Sequence, residues 1–206
     1  MFSSAFTIKA EARLRSGSRK KLKTELTSRF PSLAFDDGRS LNALLPSSQK
    51  SGQPLNETSV DIITATGQTG TVVLVDGEPM FYRDGHEGII PTVYALWKVP
   101  HLCQLQIETT DIRDSKSQEQ LGIDEVHGLP ERDLNYQPGE PVVLTVSRDG
   151  KRVAYGVGIT LASKSEISSG KKKKFARIVH VYGDHLWCVS LNGALVSALA
   201  IACRCY

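Results

Sequence analysis

The 206 residues predict an α+β chain of two small modules, an α/β unit followed by a strand-rich small barrel. Three observations predict it. The first hundred residues combine one basic amphipathic helix with a hairpin and a proline-bounded helix. The second half is a run of short apolar segments separated by glycine-containing turns, which suits a small barrel. The length fits one large or two small domains, at roughly 100–150 residues per domain.

The elements follow in order. Ala5 to Ala10 alternates and reads as a strand. Ser16-Gly17-Ser18 supplies a turn and a helix N-cap. From Arg19 to Phe30, Leu22, Leu26 and Phe30 recur every four residues and line one helical face, and Pro31 stops the helix. A second short helix is expected over Asp37–Leu45, ended by Pro46. Residues 47–56 are polar and carry Gly52 and Pro54, a loop. Strands are expected at 59–65, 71–75 and 78–82, the last two joined by the hairpin signal Asp76-Gly77. Pro91 to Trp97 reads as a short helix with proline in its first turn, closed by Pro100. The first unit then spans 1–99.

In the second unit, spanning 100–187, Leu102 to Glu108 is a candidate strand and 111–120 a polar loop. Pro138-Gly139-Glu140 leads into the strand Pro141–Val146. Asp149-Gly150 turns the chain into Val153–Ile159, where Gly156 and Gly158 alternate through the strand, as where another backbone approaches closely. Ser163 with Glu166 three residues on is a capping box opening a short helical turn. Gly170 opens the run Lys171-Lys172-Lys173-Lys174, and 175–182 is the last clear strand. Residues 188–206 form an apolar tail.

Charge is distributed in blocks. Residues 1–30 carry eight Lys/Arg and two Glu, a net of +6; residues 101–140 carry three Lys/Arg and nine Asp/Glu, a net of −6; residues 141–187 carry nine Lys/Arg and three acids, again +6. Two basic segments are what a polyanionic partner requires, because phosphate contacts from Lys and Arg supply most non-specific affinity; a solvated surface is the plain alternative. The overall net charge is only +3, which by itself excludes a strongly acidic protein and little else. Four cysteines without CxxC or framework spacing point to a reduced, cytoplasmic chain. No signal peptide and no apolar run long enough to span a membrane are read.

The chemistry-bearing candidates are cationic. Lys171, Lys172, Lys173 and Lys174 can follow a phosphate backbone as point charges, and Arg177 extends the patch. Arg13, Arg15, Arg19, Lys20, Lys21 and Lys23 form a second group on and before the basic helix. Trp97 and Tyr94 fall where the units should meet and are read as packing, as are Leu186 and Trp187. His180, His185 and Cys188 lack a fourth ligand, so no metal is assigned. P-loop, G-x-S-x-G, H-E-x-x-H and dinucleotide motifs are absent, and Asp184-His185 are neighbours pointing to opposite faces. The expectation is a protein without catalytic residues or cofactor.

The order Pro138-Gly139-Glu140, strand, Gly156-Val157-Gly158, Ser/Glu turn, Gly170-Lys171 and His180 through Asp184-His185-Leu186-Trp187 resembles the PUA domain, a pseudobarrel RNA-binding module. Phe6 to Pro31 and Pro91-Thr92-Val93-Tyr94-Ala95-Leu96-Trp97 with Pro100 resemble the pre-PUA domain of the ligatin family of translation factors, and more distantly the malignant T-cell amplified protein. The resemblance covers about residues 1–187.

It implies a pre-PUA domain followed by a PUA pseudobarrel, and a translation initiation factor that docks on the small ribosomal subunit through ribosomal RNA. The family handles tRNA and acts in tRNA delivery, reinitiation and recycling. Other initiation factors are possible partners, and the implied chain is a cytoplasmic monomer independent of membranes. Full-length members continue into winged-helix, SWIB-like and SUI1-like domains that this sequence does not contain, so a shortened isoform, a fragment or a gene-model artefact is expected. Where the family has Pro-Gly at the first PUA strand, His127-Gly128 stands here: Gly128 keeps the permissive backbone, and the His127 ring could meet phosphate when protonated. The alternatives are an accessory RNA-binding part of an RNA-modification system and a protein-interaction adaptor.

Overall fold

The computed structural model describes residues 8–46, 60–65, 70–109, 120–122, 126–127 and 135–186. The apolar tail, Gly128 and most of the acidic segment lie outside the described residues.

The first module is a five-stranded antiparallel meander, β1 (Ile8–Arg13), β2 (Val60–Ala65), β3 (Thr71–Val75), β4 (Glu78–Asp84) and β5 (Gly88–Pro91), in that spatial order. Three helices accompany it: α1 (Ser16–Arg29), α2 (Arg39–Leu44) and α3 (Val93–Lys98), with one 3-10 turn at Pro31–Ala34. Leu22, Leu26 and Phe30 are buried as their four-residue spacing predicts, in one core with Ile63, Val73, Phe81 and Leu96. Full burial of each such side chain contributes about 1.5–3 kcal/mol. The Asp76-Gly77 corner has φ of 50° and 81°, the two left-handed residues of a type I′ turn.

Several boundaries differ from the sequence expectation. The α1 helix begins at Ser16, so Arg15 occupies the N-cap and no side chain caps the helix. The expected helix over 37–45 shortens to α2, entered through Gly38 at φ 76°. Pro91 ends the unforeseen strand β5 instead of opening a helix; it sits on a sheet edge, where a missing N–H is tolerated. The corner into α3 is held by Thr92, whose N–H donates to the Met80 carbonyl at 3.0 Å and whose hydroxyl donates to the Pro79 carbonyl.

The second module is a six-stranded sheet of β6 (Gln106–Thr109), β7 (Gln120–Gly122), β8 (Val126–His127), β9 (Pro141–Arg148), β10 (Lys151–Thr160) and β11 (Lys174–Val181), in the order β7-β11-β10-β9-β6-β8. Among the described strands only β6 and β9 run parallel. A short helix, α4 (Lys164–Ser168), carries the foreseen capping box between Ser163 and Glu166. The β7 strand was not read from the sequence, β8 lies where the resemblance put the first PUA strand at His127-Gly128, and the strand expected from Leu102 starts only at Gln106.

Both faces of this sheet are apolar. Val142, Leu144, Ala176, Ile178 and Val181 turn inward with Tyr136 and Phe175. Val143, Val157, Ile159 and Val179 turn outward and complete the core of the first module. The period-2 alternation of strand side chains thus supplies two cores at once. Gly156 and Gly158 fit the tight packing expected of them: a Cβ at Gly158 would lie 2.9 Å from the Arg177 carbonyl oxygen, and one at Gly156 3.0 Å from that of His180.

Polar contacts pin the seam between the modules. The Trp97 indole N–H donates to the Ala154 carbonyl at 2.9 Å, and its ring lies 5.9 Å from that of Tyr182. Ser32 donates to the Leu102 carbonyl at 3.0 Å, and Arg29 to the Gly139 carbonyl at 2.6 Å. Arg177 forms an ion pair with Glu87 across the same seam.

Candidate nucleic-acid interface

The lysine run is a solvent-facing turn. Ser163 caps α4 by accepting from the Glu166 N–H, and the Glu166 carboxylate accepts from the Ser163 N–H at 2.9 Å. The Ser163 hydrogen bonds, with Lys172 and Lys171 nearby, hold the Glu166 carboxyl below its ordinary range. After α4, Gly170 takes φ 69°, a left-handed C-terminal conformation that glycine adopts at little cost. Lys171 and Lys172 then donate backbone N–H groups to the Glu166 carbonyl at 3.0 and 3.4 Å. Lys171, Lys172, Lys173 and Lys174 are all exposed, and Lys174 begins β11. The hydrogen-bonded backbone thus presents four lysine side chains to solvent, an arrangement suited to successive phosphates.

Arg177 does not join them as an unengaged cation. Its neighbours Ala176 and Ile178 face the barrel core, so it points outward to the seam, where Glu87 holds it. His127 pairs with Glu108 in the β6–β8 ladder, and nothing further is described for it.

The second cationic group divides. Arg15, Lys20 and Lys21 are exposed at the uncapped N-terminal end of α1, whose first turn contains no acid. The positive end of the helix dipole favours an anion, while Lys20 and Lys21 lie one turn further along on different faces of the helix. Arg13 is instead paired with Asp61 at 3.2 Å, Arg19 donates to the Leu14 carbonyl at 3.3 Å, and Lys23 is half-buried. Arg29, which the sequence reading did not single out, reaches the seam to donate to the Gly139 carbonyl, and one turn earlier on α1 Glu25 binds Arg83 of β4 at 2.5 Å.

The remaining candidates are engaged structurally. His180 bonds Asp184 at 2.9 Å, four residues on, and Asp184 also accepts from the Val181 and Leu186 N–H groups at 3.0 Å. That pair closes the last turn and places Tyr182 against Trp97. Among the described residues no three His, Cys, Asp or Glu side chains group as a metal site, and no helix is long and apolar enough to cross a membrane. Beside Trp97 lies a shallow groove of about 260 Å³, bordered by Leu96, Pro100, Val143 and Arg152.

Comparison with known proteins places this geometry. Residues 2–100, which contain the meander and its three helices, match the Pre-PUA-like domain family. The first module is a Pre-PUA-like domain. Carried together with its barrel, this Pre-PUA-like module is similar to eukaryotic translation initiation factor 2D of mouse, 26% identical over 189 residues, and of human, 27% identical over 197 residues. Each match covers 91% of this chain but only 31% and 30% of the relative, so the chain spans about a third of the length of the curated proteins it matches.

The whole fold is also that of solved PUA-domain proteins. One from Thermoplasma acidophilum superposes with a TM-score of 0.55 at 15% identity, covering 87% of this chain and 98% of the other. A PUA domain from Aeropyrum pernix, crystallised with tartrate, gives 0.58 at 18% identity, covering 86% and 89%. The resemblance to the ligatin family and the α+β pseudobarrel architecture read from the sequence both stand.

Proposed function

We propose that this chain is a non-enzymatic, RNA-binding translation factor module that docks on the small ribosomal subunit through ribosomal RNA. In this reading it assists tRNA delivery or post-termination recycling in the cytoplasm, as a monomer, alongside tRNA and other initiation factors. Residues 1–99 and 100–187 each contribute a cationic surface. The observation that carries the reading is the exposed lysine turn, whose hydrogen-bonded backbone presents four positive charges to solvent. Similarity to translation initiation factor 2D over nearly the whole chain supports the translational setting.

The test is sedimentation with purified small subunits, combined with RNA affinity measured against salt. Each phosphate contact contributes roughly 0.7–0.9 to the slope of log K against log salt. Replacing Lys171 through Lys174 with Gln should therefore flatten the slope by up to about 3 and release the chain from the subunit at physiological salt, with thermal stability unchanged. Unaltered binding in that variant removes the turn as the contact.

A further inference from the structure

Arg177 lies three residues beyond the lysine turn, about 10 Å along an extended strand, which is close to the screening length of about 8 Å at physiological ionic strength. It is outward-facing and 32% exposed, yet its guanidinium is held by Glu87, 23% exposed, from the β4–β5 turn of the other module. A carboxylate and a phosphate each offer guanidinium two oxygens on one central atom, which its fork of N–H groups can engage as a pair. The pair sits between the two cationic surfaces: Glu87 leaves the same hairpin whose Arg83 binds Glu25 of α1, and Arg177 starts from the strand that the lysines open.

From this we infer that Glu87 is a built-in phosphate mimic that occupies Arg177 and is displaced when an RNA phosphate reaches the lysine turn. Resting on the RNA-binding reading above, the inference adds a regulatory element to that site. The contact lowers resting affinity and makes Arg177 available only to a ligand already held by the lysines. A nucleic-acid backbone that engages the turn brings phosphates to the seam, where they compete for a partly solvated guanidinium. Loose polyanions that do not seat on the turn leave the pair closed. The cost of opening is small, because a half-exposed ion pair between side chains contributes little net stability and the hydrophobic seam around it stays shut.

The experiment uses the full chain, a short fluorescent RNA hairpin and purified small-subunit RNA. Removing the competitor in Glu87→Gln removes a contact that binding must otherwise break, so it should tighten binding by up to about fivefold near 0.1 M salt while leaving the number of phosphate contacts, and hence the salt slope, unchanged. Arg177→Gln alone should weaken binding and flatten the salt slope by roughly 0.7–0.9, since the phosphate contact made after displacement is lost, and Arg177→Gln placed on Glu87→Gln should erase the gain of that substitution. A purely structural role for the pair predicts weaker binding and a lower Tm in both single variants, and that result overturns the inference. So does a gain in Glu87→Gln that survives the second substitution.

A measurement on the unaltered chain avoids any folding defect. The Arg177 side-chain N–H resonance, identified by its loss in Arg177→Gln, should shift when RNA is added and stay put when the lysine turn is neutralised. An Arg177 signal unmoved at saturating RNA overturns the displacement. RNA binding that depends on the lysines but not on Glu87 sinks this inference alone. Absence of RNA binding in both the unaltered chain and Glu87→Gln sinks the proposed function with it.

Discussion

Substituting Gly158 by alanine tests the barrel's closest backbone contact. The new Cβ would stand 2.9 Å from the Arg177 carbonyl oxygen, 3.3 Å from Val142 Cγ1 and 3.6 Å from Ala176 Cβ. The nearest atom belongs to a backbone locked into the β10–β11 ladder, where Gly158 is paired with Ile178 and Ile159 with Arg177, so it cannot swing aside as a side-chain tip would. Forcing a methyl into a packed site costs roughly 1–3 kcal/mol, partly offset by the 0.5–1 kcal/mol that alanine gains over glycine in a strand. The net destabilisation is about 1–2 kcal/mol, and for a chain of this size about 2–4 °C of Tm follows each kcal/mol. Gly17→Ala is the matched control. Nothing lies within 4 Å of its would-be Cβ and it sits inside α1, so the same chemical change should stabilise by about 0.4–1 kcal/mol. Calorimetry or urea titration decides the pair. A Gly158→Ala chain as stable as the original would refute the claim that glycine is kept there by the approaching strand.

Two further predictions concern titration and reactivity. The Glu166 carboxyl is held below its ordinary 4.5 by hydrogen bonds from Ser163 and by Lys172 and Lys171, so its folded value lies under its unfolded one. The stabilisation it gives is complete above the unfolded value and is lost as pH falls through the folded one. Glu166→Gln, which can keep the capping geometry, should flatten the fall in urea midpoint on acidification below about pH 4.5; an unchanged acid limb would exclude Glu166 as its source. Burial pushes the Cys103 thiol up to about 12, with only a small opposing pull from Arg29. It should resist a thiol reagent at mildly alkaline pH until the chain unfolds, as followed by mass spectrometry of the Cys103 peptide; prompt labelling of the folded chain would contradict its placement in the core.

What could be read in advance was whatever local chemistry fixes. The Leu22, Leu26, Phe30 row, the Asp76-Gly77 and Asp149-Gly150 corners and the Ser163–Glu166 box each carry their own geometry within a few residues. The two- to four-residue strands β5, β7 and β8 do not. Ile89 and Ile90 are too short a run to declare a strand, and Gln120–Gly122 pairs only because β11 lies beside it. The N-terminus of α1 misled for a related reason: three good capping residues were available, yet the chain enters the helix before them, at Arg15.

The candidate interface divides the same way. A glycine followed by four lysines announces an exposed turn, and its backbone bonds to Glu166 agree with that. The engagement of Arg177 was hidden, because its partner stands 90 residues away and is delivered by a hairpin of the other module. Arg29 was hidden likewise, since its significance lies in reaching Gly139 rather than in any motif around it.

The doubly apolar sheet of the second module has a practical consequence for dissecting this protein. Severing the polypeptide after Val99 would strand Val143, Val157, Ile159 and Val179 in water as one sticky plane, while the helices on the other piece would lose the floor beneath Leu96 and Val99. Neither half is an independent tool for locating activity. Credit has to be apportioned by point changes in the intact chain, because cutting it would report on aggregation rather than on recognition.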